Sequence, residues 1–185
     1  FAYDKSLARN QQKGWLYCLS ARTGQVLWRM NAASGMLTSP VAYRVGETLH
    51  VAVAARRGLL QCFNVSKPKP TKAWSFQMPH EVLGSPVVNW ASTVPVLYLG
   101  SKYGNLIAVD AATGEEVWQR MAGNWIDNSA CVATVDDQDV VFVGSHDYNL
   151  YAFKADDGEF LWRRTLGGEV FSAPCFFEIE GAKYV

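Results

Sequence analysis

The residues able to bind or react fall in a few short stretches of a 185-residue chain. Asp127 and Asn128 follow closely on Trp125, placing a carboxylate, a side-chain amide and an indole together. Carboxylate and amide oxygens are hard donors, suited to a divalent cation or a polar ligand. Arg56-Arg57, Lys102-Tyr103 and His146-Asp147-Tyr148 combine cationic, acidic and aromatic groups, which suits an anionic or peptide partner.

The remaining chemistry is sparse. Of the three histidines, His50 lies in an apolar run and reads as a satisfied sheet residue, while His80 and His146 lie in loops and read as surface residues. There is no HExxH, no EF-hand spacing and no glycine-rich phosphate loop opening a helix, so no catalytic residue is nominated. Cys18, Cys62, Cys131 and Cys175 include no CxxC pair, which removes the usual zinc and haem-attachment patterns. They align with small apolar residues and are expected as buried free thiols, too far apart for a disulfide.

What positions these residues is a repeat. Trp28, Trp74, Trp118 and Trp162 are spaced 46, 44 and 44 residues apart. A second column, Ser39-Pro40, Ser85-Pro86, Ser129-Ala130 and Ala173-Pro174, keeps the same steps. Leu16, Leu60, Leu106 and Leu150 form a third. A self-similar period of this length marks an array of identical supersecondary units. Each unit contains four strand-like runs separated by turn residues, here named A to D, and none shows a sustained helical period.

Residues 106–109 and 140–143 are apolar on both pleat faces, so the middle strands must be covered on both sides. Strand D, as in Leu161-Trp162-Arg163-Arg164, mixes apolar and charged positions like an edge protected by charge. Four-stranded antiparallel sheets stacked face to face around an axis satisfy both requirements. The fold class is therefore all-β: a β-propeller with blades of about 44 residues. The single domain spans 1–185, with blades at about 1–30, 31–78, 79–121, 122–165 and a partial unit at 166–185. The first unit lacks strand A and the tail supplies one. This fits a ring of four blades with the last shared between the termini, a piece of a larger seven- or eight-bladed ring, or two chains completing one ring. Strand A is innermost, so Asp127 is expected near the axis, beside the loop face that gathers Arg56, Arg57, Lys102, Tyr103, His146 and Asp147.

The hairpin between strands C and D explains its own residues. Gly24, Gly114 and Gly158 supply the positive φ of a tight turn. The tryptophan four positions later is the largest apolar group in strand D. Its burial against the next blade would contribute about 2–3 kcal/mol. Trp28, Trp74, Trp118 and Trp162 thus read as spacers between blades. The second unit has Lys67-Pro68-Lys69-Pro70-Thr71 at this turn, which predicts an irregular connection there.

The stretches Ala111-Ala112-Thr113-Gly114-Glu115-Glu116-Val117-Trp118 and Ala21-Arg22-Thr23-Gly24-Gln25-Val26-Leu27-Trp28 resemble the tryptophan-docking motif of the pyrroloquinoline-quinone-type propeller repeat. Ala155-Asp156-Asp157-Gly158-Glu159-Phe160-Leu161-Trp162 is a close variant. The resemblance covers nearly the whole chain and implies several functions. Quinone-dependent dehydrogenases use the repeat with a bound quinone and calcium; here only Trp125, Asp127 and Asn128 could be nominated for that site. Other relatives bind no quinone and serve as assembly scaffolds, and others are accessory propellers of acyl-activating enzymes, whose repeats resemble Ser172-Ala173-Pro174-Cys175.

The expectation is a non-enzymatic scaffold with no cofactor that binds a protein or peptide through its loop face, with self-association to complete a ring as a further option. Lys and Arg total 17, as do Asp and Glu, so the net charge is zero and carries no electrostatic case for nucleic acid. No apolar run is long enough for a membrane helix. The family's habit favours a periplasmic or extracellular location, whereas four free thiols would equally suit a reducing cytoplasm.

Overall fold

The computed structural model describes residues 2–3, 14–32, 35–89 and 95–185. All sheets are antiparallel and built from strands adjacent in sequence. The first contains β1 (Ala2–Tyr3), β2 (Gly14–Leu19) and β3 (Val26–Ala32), in that order. The second runs β4 (Val41–Val45), β5 (Thr48–Ala54), β6 (Leu59–Asn64) and β7 (Thr71–Gln77). The third runs β8 (Val87–Asn89), β9 (Val96–Gly100), β10 (Asn105–Asp110) and β11 (Glu116–Met121). The fourth runs β12 (Cys131–Val135), β13 (Gln138–Gly144), β14 (Asn149–Lys154) and β15 (Phe160–Thr165). A last pair, β16 (Phe177–Ile179) and β17 (Ala182–Tyr184), begins a fifth. Among the described residues no helix is long and apolar enough to cross a membrane.

The turns follow from local chemistry. Asp136 and Asp137 between β12 and β13 both hold positive φ, as does Gly46 between β4 and β5; Asp and Gly tolerate this conformation best. Each C strand carries a register shift at the same place: Cys18/Leu19, Cys62/Phe63, Ala108/Val109 and Ala152/Phe153. A bulge there re-aims the following side chains and increases the local twist. In the second sheet the lengthened Lys67–Pro70 segment lies outside the ladder, which still closes on the pair Asn64–Thr71.

The core lies between sheets. Tyr43, Leu60, Cys62, Val88, Leu97 and Ile107 form one cluster between the second and third sheets, with Trp74 packed against it. Tyr98, Leu106, Trp118, Val141 and Tyr151 form its counterpart between the third and fourth. Leu16, Met36, Val53 and Phe63 join the first sheet to the second. The middle strands are thus covered on both sides, as their double-faced apolar pattern requires. At the start of the A strands, Ser39 N–H donates to Ser85 Oγ (2.8 Å) and Ser85 N–H donates to Ser129 Oγ (2.9 Å), so the Ser-Pro column stitches consecutive sheets.

Two junctions share one geometry. Trp74 Nε1 donates to the Ala111 carbonyl (3.0 Å), and its ring lies so close to Gly114 that a Cβ there would stand 2.6 Å away. Trp118 Nε1 donates to the Ala155 carbonyl (2.8 Å), and a Cβ on Gly158 would stand 2.7 Å from its ring. Tyr43 and Tyr98 send their hydroxyls to the same two carbonyls. Trp162 differs: it is 39% exposed, against 5% for Trp118, because no complete sheet packs beyond β15.

Three expectations need correction. Only Cys62 is fully buried; Cys18 and Cys131 are intermediate and Cys175 is exposed, because the sheets that carry them are not fully covered. His50 stacks on Tyr43, but its Nδ1 is buried without a partner, so it is not a satisfied sheet residue. His146 is not on the surface: its side chain is only 9% exposed.

Candidate functional site

The B–C turns and the connectors that lead into the A strands meet at one end of the sheets. Main-chain bonds fix this rim. Arg56 N–H donates to Gly35 O, Lys102 N–H to Glu81 O and His146 N–H to Trp125 O, tying each B–C turn to the connector of its own sheet. Val82, Ile126 and Val170 donate back to Arg56, Ser101 and Ser145, tying each connector to the preceding turn. The loops are therefore held by a rigid scaffold at both ends.

Side chains on this rim form a continuous run. Arg56 Nε lies 3.5 Å from Glu81, and Lys102 Nζ lies 3.2 Å from the same carboxylate oxygen. Those pairings hold Glu81 below the usual carboxylate range, first through the hydrogen bond from Lys102. Lys102 Nζ also sits 4.8 Å above the Trp125 ring, an attraction between a cation and the negative ring face. Trp125 in turn lies 5.7 Å from the His146 ring, and His146 meets Phe171 edge-on at 4.5 Å. His146 Nε2 is 2.8 Å from Asp127 Oδ1, so the nominated carboxylate is paired, and its side chain is 18% exposed. Asp127 would otherwise face the cost of a lone, partly buried charge.

The other nominated residues divide. Tyr103 is exposed and its ring lies tilted against that of His80, centroids 4.5 Å apart. Arg57 is exposed at the tip of its turn. Asp147 is committed to its own turn: it accepts from Gly123 N–H (2.9 Å), Asn149 N–H (3.1 Å) and the Tyr151 hydroxyl. Burial alone would raise its carboxyl, but the hydrogen bonds from Tyr151, Asn149 and Ser145 outweigh that and hold it below the ordinary aspartate value.

Asn128 is buried and sends its amide hydrogens to the carbonyls of Gly144 (3.0 Å) and Val170 (2.9 Å), while its Oδ1 is buried without a partner. In the repeat it occupies the place of Thr38, whose hydroxyl bonds to the equivalent carbonyl, that of Ala54, at 2.8 Å. Among the described residues no three His, Cys, Asp or Glu side chains converge as a metal would need. Asp127 is thus paired to His146, and the Asn128 amide hydrogens serve main chain while its Oδ1 is left as an unpartnered acceptor.

Two contributors escaped the sequence reading. Glu81 joins two cations across a sheet junction, and Phe171 closes the aromatic side of His146. Both could be found by register, since Glu81 aligns with Trp125 and Phe171 with Asp127 in the 44-residue period.

The comparisons agree on the architecture. The family model described as outer membrane protein assembly factor BamB matches residues 12–97, 66–129 and 102–180. BamB from Moraxella catarrhalis superposes with a TM-score of 0.60 at 16% identity, covering 83% of this chain and 42% of that one. A europium-containing methanol dehydrogenase gives a TM-score of 0.52 at 18% identity, over 69% of this chain and 24% of that one. A tetrathionate hydrolase from Acidithiobacillus ferrooxidans is 24% identical over 139 residues, 63% of this chain and 26% of that enzyme. The chain thus spans less than half the length of each of these relatives. Its blades, its turns and the family match across nearly all its length place it in the BamB-type family of quinone-like β-propellers.

Proposed function

We propose that this protein is a non-catalytic scaffold that binds a protein or peptide partner through the rim of B–C turns and connectors. The observation that carries this reading is the unbroken run Arg56–Glu81–Lys102–Trp125–His146–Phe171, which crosses three sheets on main-chain-anchored loops. Trp125, Phe171, Tyr103 and Tyr148 are all exposed there. Aromatic groups on a rigid base bury large area at small entropic cost, which is how interface anchors work. Cations beside them favour partners with acidic as well as apolar side chains. The likeness to BamB, whose description is that of an assembly factor, supports a protein partner; fold alone would not decide it.

The test is selection of peptides from a display library against the immobilised chain, with no cofactor added. Selected peptides should lose binding about 10-fold or more when Trp125 or Phe171 becomes alanine. They should keep it when Glu47, in the turn between β4 and β5, becomes alanine. Binders indifferent to the rim substitutions, or none at all, would refute the reading.

A further inference from the structure

Near the end of each D strand one residue stands opposite the start of strand C. The cross-strand pairs are Trp15–Asn31, Leu59–Gln77, Asn105–Met121 and Asn149–Thr165. Asn31, Gln77 and Thr165 are polar, and the last two bond to a B–C turn or to the residue that closes it. Gln77 Nε2 donates to the Arg57 carbonyl (3.0 Å), and Thr165 Oγ1 donates to Asn149 Oδ1 (2.7 Å). Met121 holds the same place with a thioether. Its Sδ accepts from Asn105 Nδ2 at 3.4 Å.

This contact joins an exposed sulfur to a buried amide. Met121 is 61% exposed, whereas Asn105 is 4% exposed. A thioether is a weak acceptor, so it serves the buried amide hydrogen poorly. A buried donor gains from a stronger acceptor, because it has no water to fall back on. The oxygen of the same amide is engaged in the turn: Asn105 Oδ1 accepts from the Ser101 hydroxyl (3.3 Å), which also donates to Lys102 O (2.9 Å). Ser101 N–H donates to Asn105 O (2.9 Å). Asn105 thereby closes the turn that carries Lys102 and Tyr103. The other methionines are sheltered: Met36 and Met78 are buried, and Met30 packs against the cluster around Leu16.

We propose that Met121 is a reversible oxidation site, whose sulfoxide oxygen takes the Asn105 amide and tightens the Ser101–Asn105 turn. The oxidant is a hydroperoxide. A sulfur lone pair attacks its terminal oxygen, the O–O bond breaks and an S–O bond forms. The remainder leaves as an alcohol or, from hydrogen peroxide, as water; sulfur gives up two electrons and the peroxide gains them. A dithiol reverses the step, returning the thioether and water and becoming a disulfide. In a core the polar product would disrupt packing, but at this exposed position it stays in water. The sulfoxide oxygen is a far stronger acceptor than the thioether, and the three rotatable bonds of the side chain let it face the amide. Oxidation thus gives the third sheet the polar tie that Gln77 and Thr165 provide in the second and fourth. This inference stands apart from the partner-binding reading, because it needs only the end of β11 and the turn beside it.

The test is limited treatment of the folded chain with hydrogen peroxide, read by mass spectrometry of its peptides and by thermal melts. Met121 should gain oxygen at least about 10-fold faster than Met36 or Met78, a preference lost in denaturant. The oxidised chain should melt about 2–4 °C above the parent, with slower exchange of the backbone amides of residues 101–105. A methionine sulfoxide reductase should reverse both changes. Met121→Gln, which offers an amide oxygen in place of the sulfoxide, should melt higher without peroxide. Met121→Leu, which offers no acceptor, should show no rise on treatment. Oxidation of Met121 no faster than of the buried methionines, a melt that falls on oxidation, or a rise that persists in Met121→Leu would overturn the proposal.

Discussion

Trp118 rests on Gly158 with no room for a methyl group between them, a Cβ at that glycine standing 2.7 Å from the indole. The contact joins strand D of one sheet to the C–D turn of the next, so sequence at a turn sets the packing of a neighbouring sheet. Gly158→Ala should therefore suffer twice, from the positive φ of 70° and from displacement of the ring. A loss of about 3 kcal/mol is expected, read from urea denaturation. Gly46→Ala, at φ 55° with nothing within 4 Å, should lose only the backbone part, about 1 kcal/mol. Equal losses at the two sites would show that the indole contact carries no weight.

Tyr148 holds φ 69° at the place where two other B–C turns have Gly58 and Gly104, and half of it is exposed. A bulky side chain is strained in that conformation. Tyr148→Gly should raise stability by about 0.5–1 kcal/mol and at the same time weaken the selected peptides. Thermal melts and peptide titration on one preparation measure both. A destabilised variant with full binding would contradict this assignment.

Asn128 acts on main chain. Removing its amide by Asn128→Ala strands two carbonyls, those of Gly144 and Val170, at an expected cost of about 1–3 kcal/mol. Asn128→Thr should recover part of that, because Thr38 serves the equivalent carbonyl in the second sheet. If Asn128→Ala left the urea midpoint unchanged, this structural role would be lost.

Acid should act partly through Asp147. Its folded value lies below the unfolded one, so the stabilisation is complete above the ordinary aspartate value and fades as pH falls through the depressed folded value. The free-energy gap between the parent chain and Asp147→Asn should be constant near neutrality and shrink below about pH 4. Unfolding curves across that window provide the check; a gap that widened with acid would reverse the sign.

The thiols should react in a fixed order. Burial pushes Cys62 up to about 11, against the smaller opposing pull of its hydrogen bond with Tyr43. Cys175 is exposed. At pH 8 an alkylating reagent should modify Cys175 at least about 100-fold faster than Cys62, with the two converging in denaturant. Mass spectrometry of quenched samples resolves the sites.

Much of the architecture was legible because periodicity is written in residue types. The tryptophan and Ser-Pro columns marked equivalent places, and the double-faced apolar runs demanded sheets on both sides. The rim was legible only as a set of loops. Asp127 and His146 sit on different loops, 19 residues apart, and nothing in either segment says that their side chains meet. Asn128 stood out by departing from its column, but the atoms it reaches depend on Gly144 and Val170, brought there by two other elements. The cysteines misled for a related reason: an apolar register implies burial only where a neighbouring sheet is present to supply it.

The Ala111 carbonyl accepts from Tyr43 on β4 and from Trp74 on β7, the two outermost strands of the preceding sheet. A single main-chain oxygen thus receives the inner and the outer margin of the adjoining blade, and works as a pivot pinned from both sides. Curvature is then set by the peptide group, which every amino acid possesses, rather than by the bulk of whatever fills the interface. The Ala155 carbonyl repeats the arrangement one junction on, accepting from Tyr98 on β9 and from Trp118 on β11.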